Sequence, residues 1–312
     1  MGHVAVVMNS SSGHGTAEKI SDRLKELFVA AGREVRITLA EGGPGISTAM
    51  REAVEGGCDT LVAGGGDGTI NAGAVAVLER DIPLGVLPLG TLNHLAKDLG
   101  VPLDLDEAAK VVLEGVVCRV DVGEVNGRLF LNNSSLGVYP AIVRLRERYQ
   151  ASGSGKWIAA LWAGLTVLRR NPFMAVRIIA EGQSTVRTTP FVFVGNNEYR
   201  MVGLHAGARA SIATGHLALY VLNAERRVGL MRLAWQVVRK GADEVKELDL
   251  ITVEELTIET RRRHLQVALD GEVVPLRSPL HYQVKPGALR VHVPRSASAC
   301  YPHPAGTSST RS

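Results

Sequence analysis

Over roughly the first 120 residues, short apolar runs alternate with stretches in which apolar residues recur at helical spacing. Val4 to Met8 is a continuous apolar run and predicts a strand; Ala17 to Ala31 predicts an amphipathic helix ended by Gly32; Glu34 to Leu39 predicts the next strand. The pattern then repeats, with a helix from Ile46 to Glu55 closed by Gly56-Gly57, a strand from Thr60 to Ala63, a helix from Ile70 to Leu78 and a strand from Leu84 to Pro88. Strands alternating with helices in this way imply βαβ units around a parallel sheet, a Rossmann-like α/β arrangement.

From about Arg119 the character changes to β-rich runs: Arg119 to Val125, Ala175 to Ala180, Phe191 to Val194, Leu217 to Leu222 and Leu256 to Thr260. Two helical stretches interrupt them, around Lys156 to Arg170 and Val228 to Gly241. The last segment, Arg295 to Ser312, is rich in Ser, Pro and Ala without periodicity and reads as a disordered tail. The expected organisation is an α/β domain over 1–121, a β-rich domain over 122–294 and a tail over 295–312.

The chain's 312 residues suit two domains, and 46% hydrophobic residues suffice for two cores. A formal charge of +4 is far from the dense basic stripe of a dedicated nucleic-acid binder, and only 4% of residues are aromatic, so nucleic acid is set aside as a partner. The three cysteines, Cys58, Cys118 and Cys300, are widely separated and lack zinc-site spacing, which fits a reducing cytosol. The N-terminal run lacks the features of a signal peptide, and the longest clean apolar run, Trp157 to Leu168, is too short to span a bilayer.

The chemistry concentrates at Gly64-Gly65-Gly66-Asp67-Gly68-Thr69, where a strand hands over to a helix. Backbone N–H groups and a helix N-terminus converge on an anion in such a turn, and glycines let a phosphate approach. Asp67 would repel that phosphate unless it faces a magnesium ion or a donor, which suggests metal-assisted phosphoryl chemistry; the plainer alternative is a tight turn with Asp67 as N-cap. The turn is not a P-loop, because no Gly-Lys-Ser/Thr closes it, and not a dinucleotide fingerprint, because Thr69 stands at the third glycine position. The protein-kinase signatures are absent. Near the C-terminus, Asp270-Gly271 joins two apolar runs, which turn chemistry alone explains as a hairpin.

Taken in order, Asn9 with Ser12-Gly13, Gly65 to Thr69, Leu87-Pro88-Leu89-Gly90-Thr91-Leu92-Asn93, Asn133-Ser134-Ser135-Leu136-Gly137 and Leu269-Asp270-Gly271-Glu272 resemble the diacylglycerol kinase catalytic-domain family, which includes bacterial lipid kinases and sphingosine kinases. The likeness runs from Val4 to about Pro294. It implies a nucleotide-binding α/β domain, a β-sandwich domain and ATP with Mg2+ in the cleft between them. It further implies that Asn9, Ser10, Ser11, Ser12, Gly13, Thr38, Gly64, Gly65, Gly66, Asp67, Gly68, Thr69, Thr91 and Asn93 contact the nucleotide, with Asp67 near the metal. Asp270 and Glu272 look like the catalytic turn; general-base logic gives one of them the proton of a lipid hydroxyl, with Glu272 favoured and Asp270 as base or orienting group.

The chain departs from the family's pattern in three places. His94 stands where the family often has Asp, Ser10 where proline is usual, and Thr214-Gly215-His216-Leu217-Ala218 where many bacterial relatives carry Asp-Gly-x-Leu-Asp. Without those two carboxylates an accessory magnesium site is expected to be absent or weak. Arg144, Arg146, Arg148, Lys156 and Arg169-Arg170 bracket the Trp157 to Leu168 run, a pattern that fits either peripheral docking on an anionic membrane or an ordinary packed helix; Arg261-Arg262-Arg263 is a weaker candidate for docking. The expectation is a cytoplasmic lipid kinase that touches the inner face of the membrane, its oligomeric state open and a homodimer among the options. An NAD kinase-like enzyme shares the glycine turn but not its other signature segment, and a silent nucleotide- or lipid-binding regulator is the alternative outside catalysis.

Overall fold

The structure is a computed structural model that describes residues 3–11, 17–137, 173–202, 205–209, 211–222 and 248–297. The chain divides into two compact units: the first comprises Met1–Val122, Ser211–Thr214 and Pro286–Ser312, the second Gly123–Ala210 and Gly215–Lys285. The predicted helices at 156–170 and 228–241, and the tail beyond 297, lie outside the described residues.

The first unit runs β1 (Val4–Asn9), α1 (Ala17–Ala30), β2 (Val35–Ala40), α2 (Gly42–Glu55), β3 (Thr60–Gly65), α3 (Asp67–Leu78), β4 (Leu84–Pro88), α4 (His94–Asp98), α5 (Leu105–Glu114) and the start of β5 (Val116–Val125). Its strands pair in parallel in the order β2-β1-β3-β4. A parallel sheet covered on both faces needs strands that are apolar on both sides. Accordingly β3 and β4 are buried at every position, and β1 at all but Asn9. The edge strand β2 instead alternates, with Arg36 and Thr38 exposed. The helices bury single stripes, Ile46, Met50 and Val54 on α2 and Ile70, Ala74 and Val77 on α3.

The pattern of apolar residues placed the α3 start at Ile70, but the helix begins three residues earlier, at Asp67. The extended Gly66 precedes it and accepts the N–H groups of Thr69 and Ile70, so the helical hydrogen bonds start inside the glycine turn. Asp67 is therefore the first helical residue and not the N-cap. Helix α5 escaped the sequence reading, although Asp104 caps it by accepting from the Asp106 and Glu107 N–H groups, both at 3.1 Å.

The second unit contains β6 (Arg128–Phe130), β7 (Asn133–Gly137), β8 (Met174–Ala180), β9 (Gln183–Thr189), β10 (Phe191–Asn196), β11 (Tyr199–Val202), β12 (His205–Arg209), β13 (Leu217–Leu222), β14 (Leu248–Val253), β15 (Glu255–Thr260), β16 (His264–Leu269), β17 (Glu272–Arg277) and the start of β18 (Leu280–Val293). One antiparallel sheet has the order β14-β13-β10-β7-β16-β17; in the other, β15 pairs with β18 and β8, and β8 with β9. Val192, Val194, Leu217, Leu219 and Val267 from the first sheet form one core with Val176, Ile178, Leu256, Ile258 and Leu280 from the second, a β-sandwich.

A division at 121 and 294 is too simple, because β18 is one 14-residue strand whose end, from Pro286, belongs to the first unit, where Val291 pairs in parallel with Leu84 of β4. An uninterrupted strand carries no turn signal at the point where it changes unit. Cys58 is a free, buried thiol.

In the first unit, both ring nitrogens of His292 are buried without a hydrogen-bond partner among the described residues. Burial, with the guanidinium groups of Arg33 and Arg290 against a weaker opposing pull from Asp59, pushes the ring down to about 4. An unfolded histidine takes up its proton near pH 6.5, so between about 6.5 and 4 protons bind the unfolded chain preferentially. Stability from this group is complete above that window and is lost as the pH falls through it, by on the order of 2–3 kcal/mol. Urea denaturation at pH 7.5 and 4.5 is expected to show a smaller acid loss in His292→Leu than in wild type; equal losses would contradict this account.

Candidate functional site

In the first unit, β3 and β4 are parallel neighbours in a register that sets Gly65 opposite Pro88, so both strands deliver their following loops at the same edge of the sheet. The carboxyl ends of strands in an open α/β sheet are where ligands bind. The two loops are tied together. Leu89 N–H donates to Gly65 O at 3.1 Å, and the backbone N–H of His94 donates to Asp67 Oδ1 at 2.8 Å. A Cβ on Gly90 would collide with the Gly66 Cα, and one on Gly65 with the Thr69 side chain. Glycine at 90 is thus a condition of the approach of the two loops, whereas glycine at 65 makes room for Thr69 of the following helix.

Each predicted nucleotide contact in the described part of this unit has a definite place. Asn9 ends β1, and its Oδ1 accepts from Ser11 N–H at 3.0 Å and Ser11 Oγ at 2.7 Å, which fixes the turn after the strand. Ser10 continues the β1–β2 pairing by donating its N–H to Ala40 O at 2.9 Å, and Thr38 is exposed on β2 opposite Val7. Ser12 and Gly13 lie outside the described residues. Gly64 is buried against Met8, Gly66 precedes the helix, Gly68 is exposed in its first turn and Thr69 is buried. The N-terminus of α3 receives no side-chain cap from Gly66, so its amide dipoles are available to an anion.

Thr91 is exposed, whereas Asn93 is only 4% exposed and adopts a left-handed φ of 51°. The Asn93 amide accepts from Gly90 N–H at 3.1 Å and donates to Gly90 O at 2.8 Å and Pro88 O at 3.2 Å. These bonds turn its side chain into a brace of its own loop, so any role toward a nucleotide is exercised through the loop's shape.

In the second unit, Asp270 and Gly271 form the two-residue turn of the β16–β17 hairpin, with Leu269 opposite Glu272. Both have positive φ, 48° and 92°, as a type I′ turn requires. The half-exposed turn nevertheless directs the Asp270 carboxylate inward, where Oδ2 accepts from Leu131 N–H at 2.7 Å and Oδ1 from Asn132 and Asn133 N–H at 2.8 and 2.9 Å. Burial pushes the Asp270 carboxyl up from its ordinary value, against the three backbone donors and the Arg209 guanidinium, which pull it down. Both of its oxygens are occupied, and Glu272 is exposed. The plain hairpin reading of this turn and its chemical reading are therefore compatible: Asp270 locks the turn, and Glu272 is free to meet a ligand.

Among the described residues no group of three or more His, Cys, Asp or Glu side chains is arranged to hold a metal. Magnesium commonly takes one or two carboxylates together with substrate phosphates, so Asp67 in the first turn of a helix whose N-terminus lacks a side-chain cap fits such an ion even as a single carboxylate ligand. Thr214 to Ala218 form the approach to and start of β13, with His216 O accepting from Asn197 N–H at 3.1 Å. Arg261 to Arg263 are exposed between β15 and β16, while Trp157 to Leu168 and its flanking basic residues fall outside the described residues. No helix among the described residues is long and apolar enough to cross a membrane.

Comparison with known proteins adds to this geometry. The profile of the diacylglycerol kinase catalytic domain matches residues 3–125, and that of the YegS C-terminal NAD kinase beta sandwich-like domain matches residues 143–293. A Pseudomonas aeruginosa protein named as a probable lipid kinase YegS-like is 33% identical over 281 residues, covering 85% of this chain and 86% of its own. A Mycobacterium tuberculosis diacylglycerol kinase is 29% identical over 312 residues, covering 95% and 96%. A solved Bacillus anthracis diacylglycerol kinase superposes with a TM-score of 0.69 at 20% identity, covering 95% of this chain and 98% of its own, a likeness of fold.

The close approach of the two glycine loops predicts a contrast. Gly90→Ala forces the loops apart and is expected to cost about 1–3 kcal/mol of stability and to weaken nucleotide binding. Gly68→Ala meets nothing within 4 Å and is expected to leave stability nearly unchanged. Thermal denaturation and calorimetric titration with ATP check both; a Gly90→Ala variant as stable and as tight as wild type would contradict the geometry.

Proposed function

Because the chain belongs to the diacylglycerol kinase catalytic-domain family, a family of lipid kinases, we propose that it transfers the γ-phosphoryl group of ATP to the hydroxyl of a lipid. The observation that carries this reading is the Asp67 carboxylate in the first turn of α3, held by the His94 N–H beside an uncapped helix N-terminus. A carboxylate is out of place in a simple phosphate cradle and in place where a cation accompanies the phosphate.

In this reading the amides at the start of α3 and the glycine turn bind the triphosphate, the Pro88–Asn93 loop is kept rigid by Asn93, and Asn9 and Thr91 orient the rest of the nucleotide. Asp67 would hold Mg2+, which would neutralise phosphate charge. Glu272 accepts the proton of the lipid hydroxyl as its oxygen attacks, and Asp270 keeps the turn that presents Glu272 in one shape. The acceptor is a diacylglycerol-like or related lipid alcohol, reached by peripheral contact with a membrane surface.

The test is transfer of label from γ-labelled ATP, with magnesium, to a panel of lipids in mixed micelles. Labelled lipid is expected from wild type, with losses of at least about 100-fold in Asp67→Asn and Glu272→Gln at unchanged thermal stability. Label on NAD and on no lipid would replace this reading with a small-molecule kinase. Nucleotide binding without transfer to any acceptor would replace it with a regulator.

A further inference from the structure

We infer that Arg209 is a positioning residue for the Asp270-Gly271-Glu272 turn, acting through the backbone of Leu131, Asn132 and Asn133. The inference rests on the role proposed for Glu272. Arg209 closes β12 at 7% exposure, with its guanidinium over the Tyr199 ring at 5.4 Å from the centroid. Its Nη1 donates to Leu131 O at 2.7 Å and Asn196 O at 3.0 Å, and its Nη2 to Asn132 Oδ1 at 3.0 Å.

The segment 131–133 is thus gripped from both sides. Its three N–H groups point at the Asp270 carboxylate, and the carbonyls of Leu131 and Asn132 face the opposite way, where Leu131 O also accepts from Asn196 Nδ2 at 2.9 Å and Asn132 O from Asn196 N–H at 2.8 Å. Asn133 O returns the contact by accepting Asp270 N–H at 2.9 Å. A guanidinium on the carbonyl side of a peptide and a carboxylate on its N–H side polarise that peptide in the same sense, which strengthens both charge-assisted bonds. The cation also pulls against the effect of burial on Asp270, adding to the larger pull of the three backbone donors.

The platform beneath is equally fixed. Tyr199 N–H donates to Tyr220 Oη at 2.9 Å, Tyr220 Oη donates to Tyr199 O at 3.0 Å, and burial pushes the Tyr220 phenol up to about 12, so it stays a donor. The Leu131–Asn132 peptide, with its carbonyl on Arg209 and its N–H on Asp270, connects the guanidinium to the carboxylate two residues before Glu272, and the second arginine nitrogen holds the Asn132 side chain beside it.

The experiment compares wild type with Arg209→Lys, Arg209→Gln and Glu272→Gln, reading amide hydrogen exchange of 131–133 together with kcat, KM and pH profile. Arg209→Gln is expected to lose protection at 131–133 with the rest of the unit still protected, to lower kcat by about 10²-fold with little change in KM for ATP, and to shift the acid limb of kcat upward. Arg209→Lys keeps the charge without the fork and should recover part of kcat and most of the acid-limb position. Unchanged exchange at 131–133 in Arg209→Gln, or equal kcat and pH profile in all Arg209 variants, would overturn the inference. A wild type that transfers phosphate to no lipid would overturn the kinase reading instead, and the exchange comparison would still decide whether Arg209 holds the turn.

Discussion

Gly66 and Gly90 belong to different loops, yet their backbones lie so close that a single methyl group on Gly90 has nowhere to go. That approach follows from the sheet. β3 and β4 are parallel neighbours, and Gly65 pairs with Pro88, so both chains leave the sheet at one level. Once the loops touch, the Asp67 carboxylate can take the His94 N–H and Asn93 can fold back on Gly90, and the start of α3 is left uncapped at the same edge. The exposed start of α3, the loop beside it and the placement of the Asp67 carboxylate between them follow from one steric condition.

The second unit solves a different problem with a similar economy of contacts. A two-residue hairpin turn is ordinarily mobile at its tip. Here the Asp270 side chain turns inward and takes three backbone donors, so the turn is anchored to a neighbouring strand start while Glu272 stays exposed. Buried polar groups are costly unless paired. Asn132, Asn196, Arg209 and Asp270 meet that requirement largely with one another and with the backbone between them, giving a small polar core beside the apolar sandwich.

Much of this was legible in the sequence because the signals are local. Continuous apolar runs mark strands buried on both faces, and β4 and β13 were placed at the limits the structure has. Asp-Gly between two apolar runs marks a type I′ turn, and the ordered motifs pointed to the family that the comparisons find. What was missed is tertiary. Nothing in the sequence tells that Asn93 braces its own loop, that Asp270 faces a backbone segment 137 to 139 residues away, or that β18 crosses from one unit to the other. Arg209 lies in a stretch without periodicity, and only its neighbours in space give it a meaning.

The central claim is that the two glycine-tied loops of the first unit hold the phosphates of a nucleotide. Its most direct test is backbone amide chemical shifts of the full chain, followed while a non-hydrolysable ATP analogue is added with magnesium. The account predicts that the largest changes fall on the amides of Gly66, Asp67 and Gly68 and on the Gly90–Thr91 loop, and that adenosine alone leaves these amides in place. Saturable binding with shifts confined to residues outside both loops would contradict it.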